Sequence, residues 1–414
     1  MASRSLVLRG GLSTLLALLS TATWAQPASD EDPRAPEDAV PAEEPQPPFI
    51  PAGHVPGEGF RLKSEDGAYL LRVALQAALK ADLNWTQEGT LLQSSFGVLR
   101  PSLRGNVVRP WMRYWLSLEL SRDSPYVLDA FVEVQPWEAL GLRYGQQGTP
   151  VSRHEDFGPQ QLFFPEHAAV ANFFWSGRDQ GLTLFGGTPR RRVDYYLGVY
   201  GGSPLLEPVN LPDDYLVEAR ATVSPLGPVN ASELPFTPEG GPLPPRISFT
   251  VQGYFGRVQT DAENFNPSNS ILNPAVPTTV ATRVGTLSFD LWWQLGRIIV
   301  FGEFYWRALK PVGVADTFST YGAWGQVLVN VYRNRLGAGV RMNWLDPHAD
   351  ITGDRTLELE AQVAWFIQAP ELMLKLRYGW LDQGTPDAPL PTGVQLPFSP
   401  GTSGVTTLQL NLFL

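Results

Sequence analysis

The stretch Tyr69–Trp85, "YLLRVALQAALKADLNW", decides how the rest of the chain is read. Its leucines and alanines suit a helix, yet the apolar residues recur at every second position. Tyr69, Leu71, Val73, Leu75, Ala77, Leu79, Ala81 and Leu83 share one face. Arg72, Gln76, Lys80, Asp82 and Asn84 share the other, with Leu70, Ala74 and Ala78 among them. A helix needs apolar residues at i, i+3, i+4 and i+7, so period two is the better fit. The stretch predicts a long strand, apolar on one side and polar on the other.

The same alternation returns in "MRYWLSLEL" (112–120), "LSFDLWWQL" (287–295) and "LELEAQVAWFI" (357–367). Charges at alternate positions along so long a strand suit a watery interior. They fit poorly in a packed soluble core, where each buried charge needs a partner. Turn signals divide the chain into strands near 68–85, 94–107, 111–122, 126–135, 139–147, 179–187, 193–201, 215–224, 246–259, 281–295, 297–309, 319–332, 334–344, 355–368, 371–382 and 404–414. Connections such as "VVRP", "PWEA", "GR" and "NR" are tight, and they alternate with longer ones at 148–178, 260–280, 308–318 and 383–403. One long segment, 225–245, falls on the tight side. An even number of alternating strands joined by short turns and long loops predicts an all-β fold. Its form is a transmembrane antiparallel β-barrel of sixteen strands. "VTTLQLNLFL" (405–414) reads as the closing strand. Pro101, between Arg100 and Arg104, predicts a bulge there.

Composition narrows the function. The chain has 414 residues, no cysteine and a formal charge of −10. Disulfides, thiolate catalysis and cysteine–zinc sites are excluded, and the charge argues against a nucleic-acid partner. Residues 1–25 read as a secretory signal: Arg4 and Arg9, an apolar Leu12–Leu19 and the cleavage site Thr23-Trp24-Ala25. Residues 26–57 are rich in Pro, Ala, Asp and Glu and read as a disordered spacer. Residues 58–414 form the barrel. No later run of 18 apolar residues offers a helical span.

Four segments in order, "GFRLKSEDGAYLLRVALQAAL" (59–79), "LDAFVEVQPWEALGLRYGQ" (128–146), "GRDQGLTLFGG" (177–187) and "VDYYLGVYGGS" (193–203), resemble the phosphate-selective porin family of Gram-negative outer membranes. The resemblance implies a trimeric sixteen-stranded barrel in that membrane, with the third outer loop folded into the pore. By position that loop is 148–177. It departs from the family's Arg- and Lys-lined filter: it has no Lys, and Arg153 is the one basic residue before Arg178 apart from histidines. The resemblance therefore supports a porin, a passive diffusion channel for small hydrophilic solutes and ions, better than a phosphate channel.

The constriction candidates are Arg153, His154, Glu155, Asp156, Glu166 and Arg178. By alternation the pore wall takes Arg72, Lys80, Arg100, Arg104, Arg113, Arg143, Arg220, Arg341, Lys375 and Arg377, with the acids Glu119, Glu218, Asp290, Glu303, Glu358 and Glu360. On strands thirteen to fifteen, basic Arg335 and Arg341, acidic Glu358 and Glu360, and basic Lys375 and Arg377 are expected on adjacent lumen-facing rows. Such charges select ions where they ring a narrow polar path; alternatively they are cross-strand pairs that stiffen the wall. Trp85, Trp111, Trp137, Trp293, Trp306, Trp344 and Trp380, toward strand ends, are girdle candidates. No G-x-S-x-G, H-E-x-x-H or P-loop is present, so no enzyme is expected. A metal site at His154 and His167 lacks the spacing that would fix its geometry, and no cofactor is implied. The expected partners are membrane lipid and small solutes or ions, with periplasmic or cell-wall contact by the spacer. Two other readings stay open: a dedicated phosphate or anion channel, and a soluble β-rich secreted binding protein that uses its tryptophans on sugars.

Overall fold

The structure, a computed structural model, describes residues 52–55, 57–86, 88–121, 125–201, 215–237, 240–259, 281–311, 317–388 and 400–414. The signal, nearly all of the spacer, the loop at 260–280, residues 312–316 of the loop at 308–318 and residues 389–399 of that at 383–403 lie outside them.

Period-two patterning produces strands wherever it was read. After a short hairpin, β1 (Ala52–Val55) and β2 (Gly59–Lys63), come β3 (Leu70–Thr86), β4 (Gly89–Val107), β5 (Arg109–Glu119), β6 (Tyr126–Trp137), β7 (Leu140–Gly148) and β8 (Arg178–Gly187). β9 (Val193–Tyr200), β10 (Tyr215–Val223), β11 (Leu243–Gln259), β12 (Ala281–Gly296) and β13 (Ile298–Pro311) follow. β14 (Phe318–Tyr332), β15 (Leu336–Asp346), β16 (Thr356–Gln368), β17 (Leu372–Gln383) and β18 (Gly401–Phe413) complete the set. One six-residue helix, α1 (Ala169–Phe174), interrupts the connection between β7 and β8.

The sixteen strands β3–β18 pair antiparallel in sequence order, and β18 returns to β3 from Gly404↔Trp85 to Phe413↔Gln76. Closure leaves no free edge among them, as a sheet surrounded by hydrocarbon requires. The chain is therefore a closed sixteen-stranded antiparallel β-barrel.

Side chains sort by alternation. On β16, Leu359, Val363 and Trp365 are exposed, while Glu360, Gln362, Ala364 and Phe366 are buried. On β18, Leu408 and Leu412 face out and Thr407, Gln409 and Asn411 face in. Exposed Leu, Val and Phe recur around the outside, at Leu83, Leu116, Val132, Leu184, Val251, Phe289, Val327 and Leu376. Such an apolar exterior around a polar interior is the reverse of a soluble protein and matches a barrel solvated by lipid.

Strand direction separates a short-turn end, which holds the turns at 138–139 and 333–335, from a long-loop end. Trp111, Trp137 and Trp293 lie toward the former, and Trp306, Trp344 and Trp380 toward the latter. Trp85 differs, bordering the interior cavity.

Three local expectations change. The register shift on β4 falls at Gly97, between the pairs Ala78↔Val98 and Leu79↔Phe96, while Pro101 stays in register opposite Leu75. Glycine opens the bulge more readily than proline because it carries no side chain to place. Arg335 sits exposed in the β14–β15 turn, away from the inward row that holds Arg341. Inside the stretch read as spacer, Ala52–Val55 is a strand paired with β2, and β2 continues along the edge of β3 from Phe60↔Val73 to Lys63↔Leu70.

Candidate functional site

The segment 149–177 is fixed at its base by Thr149 N donating to Gly177 O (3.1 Å) and by Ser176 Oγ donating to Glu218 Oε1 of β10 (2.6 Å). From there its contacts are with inward-facing groups of strand after strand. Ser152 Oγ donates to Glu303 of β13 (2.9 Å). Arg153 donates to Ser248 (2.5 Å), Thr250 (3.0 Å) and Asp290. Arg220 donates to Asp156 (2.6 Å). Lys375 Nζ donates to the carbonyls of Leu162 (2.8 Å) and Phe164 (3.1 Å), and Gln362 to that of Phe163. Arg341 Nη1 donates to Glu166 O (3.0 Å), and Lys80 Nζ pairs with Glu166 Oε1 at 2.7 Å.

An apolar cluster lies beneath these bonds. Phe157, Leu162, Phe163, Phe164, Val170 and Phe174 of the segment are buried against Trp292, Phe301, Tyr305, Trp324, Leu328, Phe366 and Met373 of β12–β17. Phe174 stacks on Tyr305 at 4.8 Å. Inward glycines make the seats: a Cβ on Gly322 would stand 2.4 Å from the Phe174 ring, and one on Gly339 would stand 2.9 Å from Phe163.

The long segment on the short-turn side joins this cluster through Leu234 and Phe236. Glu233, fully buried, accepts from Phe163 N (2.8 Å) and Gln326 Nε2 (2.5 Å) and pairs with His154 Nε2 at 2.9 Å. Its own N–H donates to Gln161 O (2.8 Å). Segments from the two ends of the barrel thus meet at one carboxylate. Burial disfavours its charge, but His154 beside it holds Glu233 below the usual glutamate value.

The remaining space is a cavity of about 1070 Å³, bordered by β3–β10 and β15–β18. Arg72, Arg100, Arg104, Arg113, Arg143 and Arg178 line it with Glu119, Asp129 and Glu133, while Glu155, Asp156, Glu166 and His167 line it from the segment. Most of these charges are paired: Arg100 with Glu119 (2.5 Å), Arg113 and Arg143 with Glu133, and Arg178 with Asp129 (3.0 Å). Rings alternate with the guanidinium groups, Arg143 over Phe131 (4.6 Å) and Arg220 over Tyr196 (4.3 Å).

The sequence candidates therefore separate. Glu155, Asp156, Glu166 and Arg178 border the cavity. Arg153 and His154 do not: Arg153 is spent on the β11–β12 wall, and His154 is buried 4.4 Å from the Trp324 ring. On the wall, Arg341, Glu358 and Arg377 reach the cavity, whereas Lys375 is covered by the segment and Glu360 is held between Arg341 and Arg377. Among the described residues no group of three or more His, Asp or Glu is arranged to hold a metal ion.

Two cavity carboxyls are pushed in opposite directions. Burial, reinforced by Glu303, moves Glu155 up to about 8 although Arg178 opposes it. Burial also acts on Glu166, but Lys80 and Arg377 outweigh it and hold that group at about 2. Burial and His154 push His167 well below the usual imidazole value. Glu155 is thus neutral at pH 6 and becomes negative as pH rises through about 8. The selectivity of a current carried through this cavity will shift toward cations between pH 6 and 9, and Glu155→Gln will flatten that change. Reversal potentials across a pH series check both statements.

The fold has close counterparts. OmpT expressed in the outer membrane of Vibrio cholerae superposes with a TM-score of 0.58, 10% identity, and coverage of 86% of this chain and 100% of that one. The anion-selective porin from Comamonas acidovorans gives 0.58, 9%, 83% and 99%. The outer membrane channel DcaP of Acinetobacter baumannii gives 0.52, 11%, 86% and 100%. At such identities the likeness is one of fold. No family model and no curated protein matches the sequence.

Proposed function

We propose that the chain is an outer-membrane porin of a Gram-negative bacterium, a passive channel for small hydrophilic solutes and ions. The observation that carries this reading is a polar, charge-lined cavity inside a closed barrel with an apolar exterior. Such a cavity replaces part of a solute's hydration with fixed dipoles and charges and so lowers the barrier of the hydrocarbon. Segment 149–177 is the constriction in this account; its bonds to inward groups of β3 and of β10–β17 support that role. Glu155, Asp156, Glu166 and Arg178 then face Arg100, Arg113 and Arg143 across the narrowing and set a transverse field.

A modest anion preference is the second reading. The β3–β7 wall of the cavity carries more guanidinium groups than carboxylates, and one solved barrel of this fold is described as an anion-selective porin. Dedicated phosphate selectivity has less support, since the segment presents no lysine. Trimer formation and wall contact by residues 26–57 belong to the same proposal and rest on the motif resemblance and on composition. Liposomes containing the protein should swell in isosmotic arabinose and swell more slowly as sugar size increases. Rates equal to those of protein-free liposomes would remove the channel reading.

A further inference from the structure

The hairpin β1–β2 sets a row of like charge at the short-turn mouth. β2 occupies the part of the β3 edge that β18 leaves free, since Leu414 exchanges both backbone bonds with Leu75 (2.8 and 2.9 Å) and the ladder then passes to Phe60↔Val73. The register places Arg61 opposite Arg72, Arg72 opposite Arg104, and Arg104 opposite Trp115. Three guanidinium side chains therefore start from adjacent strands about 4.8 Å apart. Like charges directly opposite one another destabilise a sheet, so the row needs a compensating anion. Among the described residues no carboxylate pairs with Arg61 or Arg104.

The donors point to a ligand. Arg72 Nε, Arg104 Nε and Trp115 Nε1 are buried and have no hydrogen-bond acceptor. Arg104 lies 5.2 Å above the Trp115 ring, and Arg72, Arg104 and Trp115 all border the cavity. The one carboxylate that reaches the row is Glu58 from the hairpin turn, with Oε2 3.1 Å from Arg72 Nη2. That turn is pressed onto β3: Gly59 has φ of +85°, and a Cβ there would stand 2.5 Å from Val73 O. The Glu58 side chain itself remains about one-third exposed.

We propose that Arg61, Arg72, Arg104 and Trp115 form an oxyanion-binding site at the short-turn mouth, and that the Glu58 carboxylate occupies part of it as a tethered competitor. A free carboxylate or phosphate bonds the same donors and displaces Glu58, so the N-terminal arm sets how tightly anions dwell at that mouth. The role in passage rests on the channel reading; the binding does not.

Calorimetric titration of acetate and of inorganic phosphate into the detergent-solubilised full-length protein tests the site without requiring conduction. Glu58→Gln, at a partly exposed turn, should tighten the binding of at least one anion by about threefold to tenfold. Arg104→Gln should weaken it at least tenfold, with heat-modifiable mobility confirming that the barrel has formed. The better-bound anion identifies which oxyanion the row favours. Equal affinities of wild type and Glu58→Gln, or no binding of either anion to either protein, overturn the proposal. Bilayer current on the same samples keeps the readings apart: binding without current removes the channel, and current with no Glu58 effect on affinity removes the competitor.

Discussion

Replacing Glu233 with alanine will loosen segment 149–177 while the barrel stays closed. The expected signs are a larger, noisier single-channel conductance and new proteolytic cleavage between Glu155 and Asn172. Glu233 is fully buried, accepts from Phe163 N and Gln326 Nε2 and faces His154 Nε2 at 2.9 Å. Removal strands two buried donors, each costing about 1–3 kcal/mol when unsatisfied, and takes away the carboxylate that His154 Nε2 faces. The loss falls on the junction between segments 149–177 and 225–245, whereas the β3–β18 ladder is held by its own pairing. Glu233→Gln keeps the shape and two of the acceptor contacts, so its effect should be smaller. Conductance and cleavage identical to wild type for the alanine variant would show that the apolar cluster alone holds the segment.

Glu360→Gln will lower the stability of the barrel by about 3–5 kcal/mol, as breaking one side of a buried ion cluster does. Arg341 binds Glu360 through Nε–Oε1 (2.6 Å) and Nη2–Oε2 (3.0 Å), and Arg377 Nη1 reaches Oε2 at 3.1 Å. The carboxylate is fully buried and Arg341 is 1% exposed. Neutralising it leaves two guanidinium groups facing each other across β15–β17 without their shared counter-charge. Arg341 also stacks 4.2 Å from the Phe164 ring, so the damage extends to the segment. Asp194→Asn, which removes the more exposed pair with Arg191 (2.8 Å), should change stability by no more than about 1 kcal/mol. Denaturant midpoints of heat-modifiable protein read both; similar shifts for the two variants would contradict this account of the cluster.

The barrel was legible because membrane strands repeat one simple pattern, and each of the sixteen strands read by period two is present. The interior was legible only in part. Alternation gave the direction of Arg72, Arg143, Arg341 and Glu360 but not what lies against them. A visible signal existed in "WW" (292–293) and "WF" (365–366), where both faces of a strand turn apolar. An apolar inward residue implies an apolar cover, and Trp292 and Phe366 pack against the cluster built on segment 149–177. The inward glycines of "YGAWG" (321–325) and "LGAGV" (336–340) mark where that cover sits. What lies against Arg153 could not be read locally, because its partners Ser248, Thr250 and Asp290 come from strands about a hundred residues or more away. The β1–β2 hairpin was hidden by its proline-rich flank, although "VPGEG" (55–59) is itself a turn signal.

Planar-bilayer recording of the purified, heat-modifiable protein under a salt gradient tests the central claim most directly. The account predicts stepwise ohmic openings with a reversal potential displaced modestly toward anions. Folded protein that inserts into the bilayer and produces no steps would contradict it.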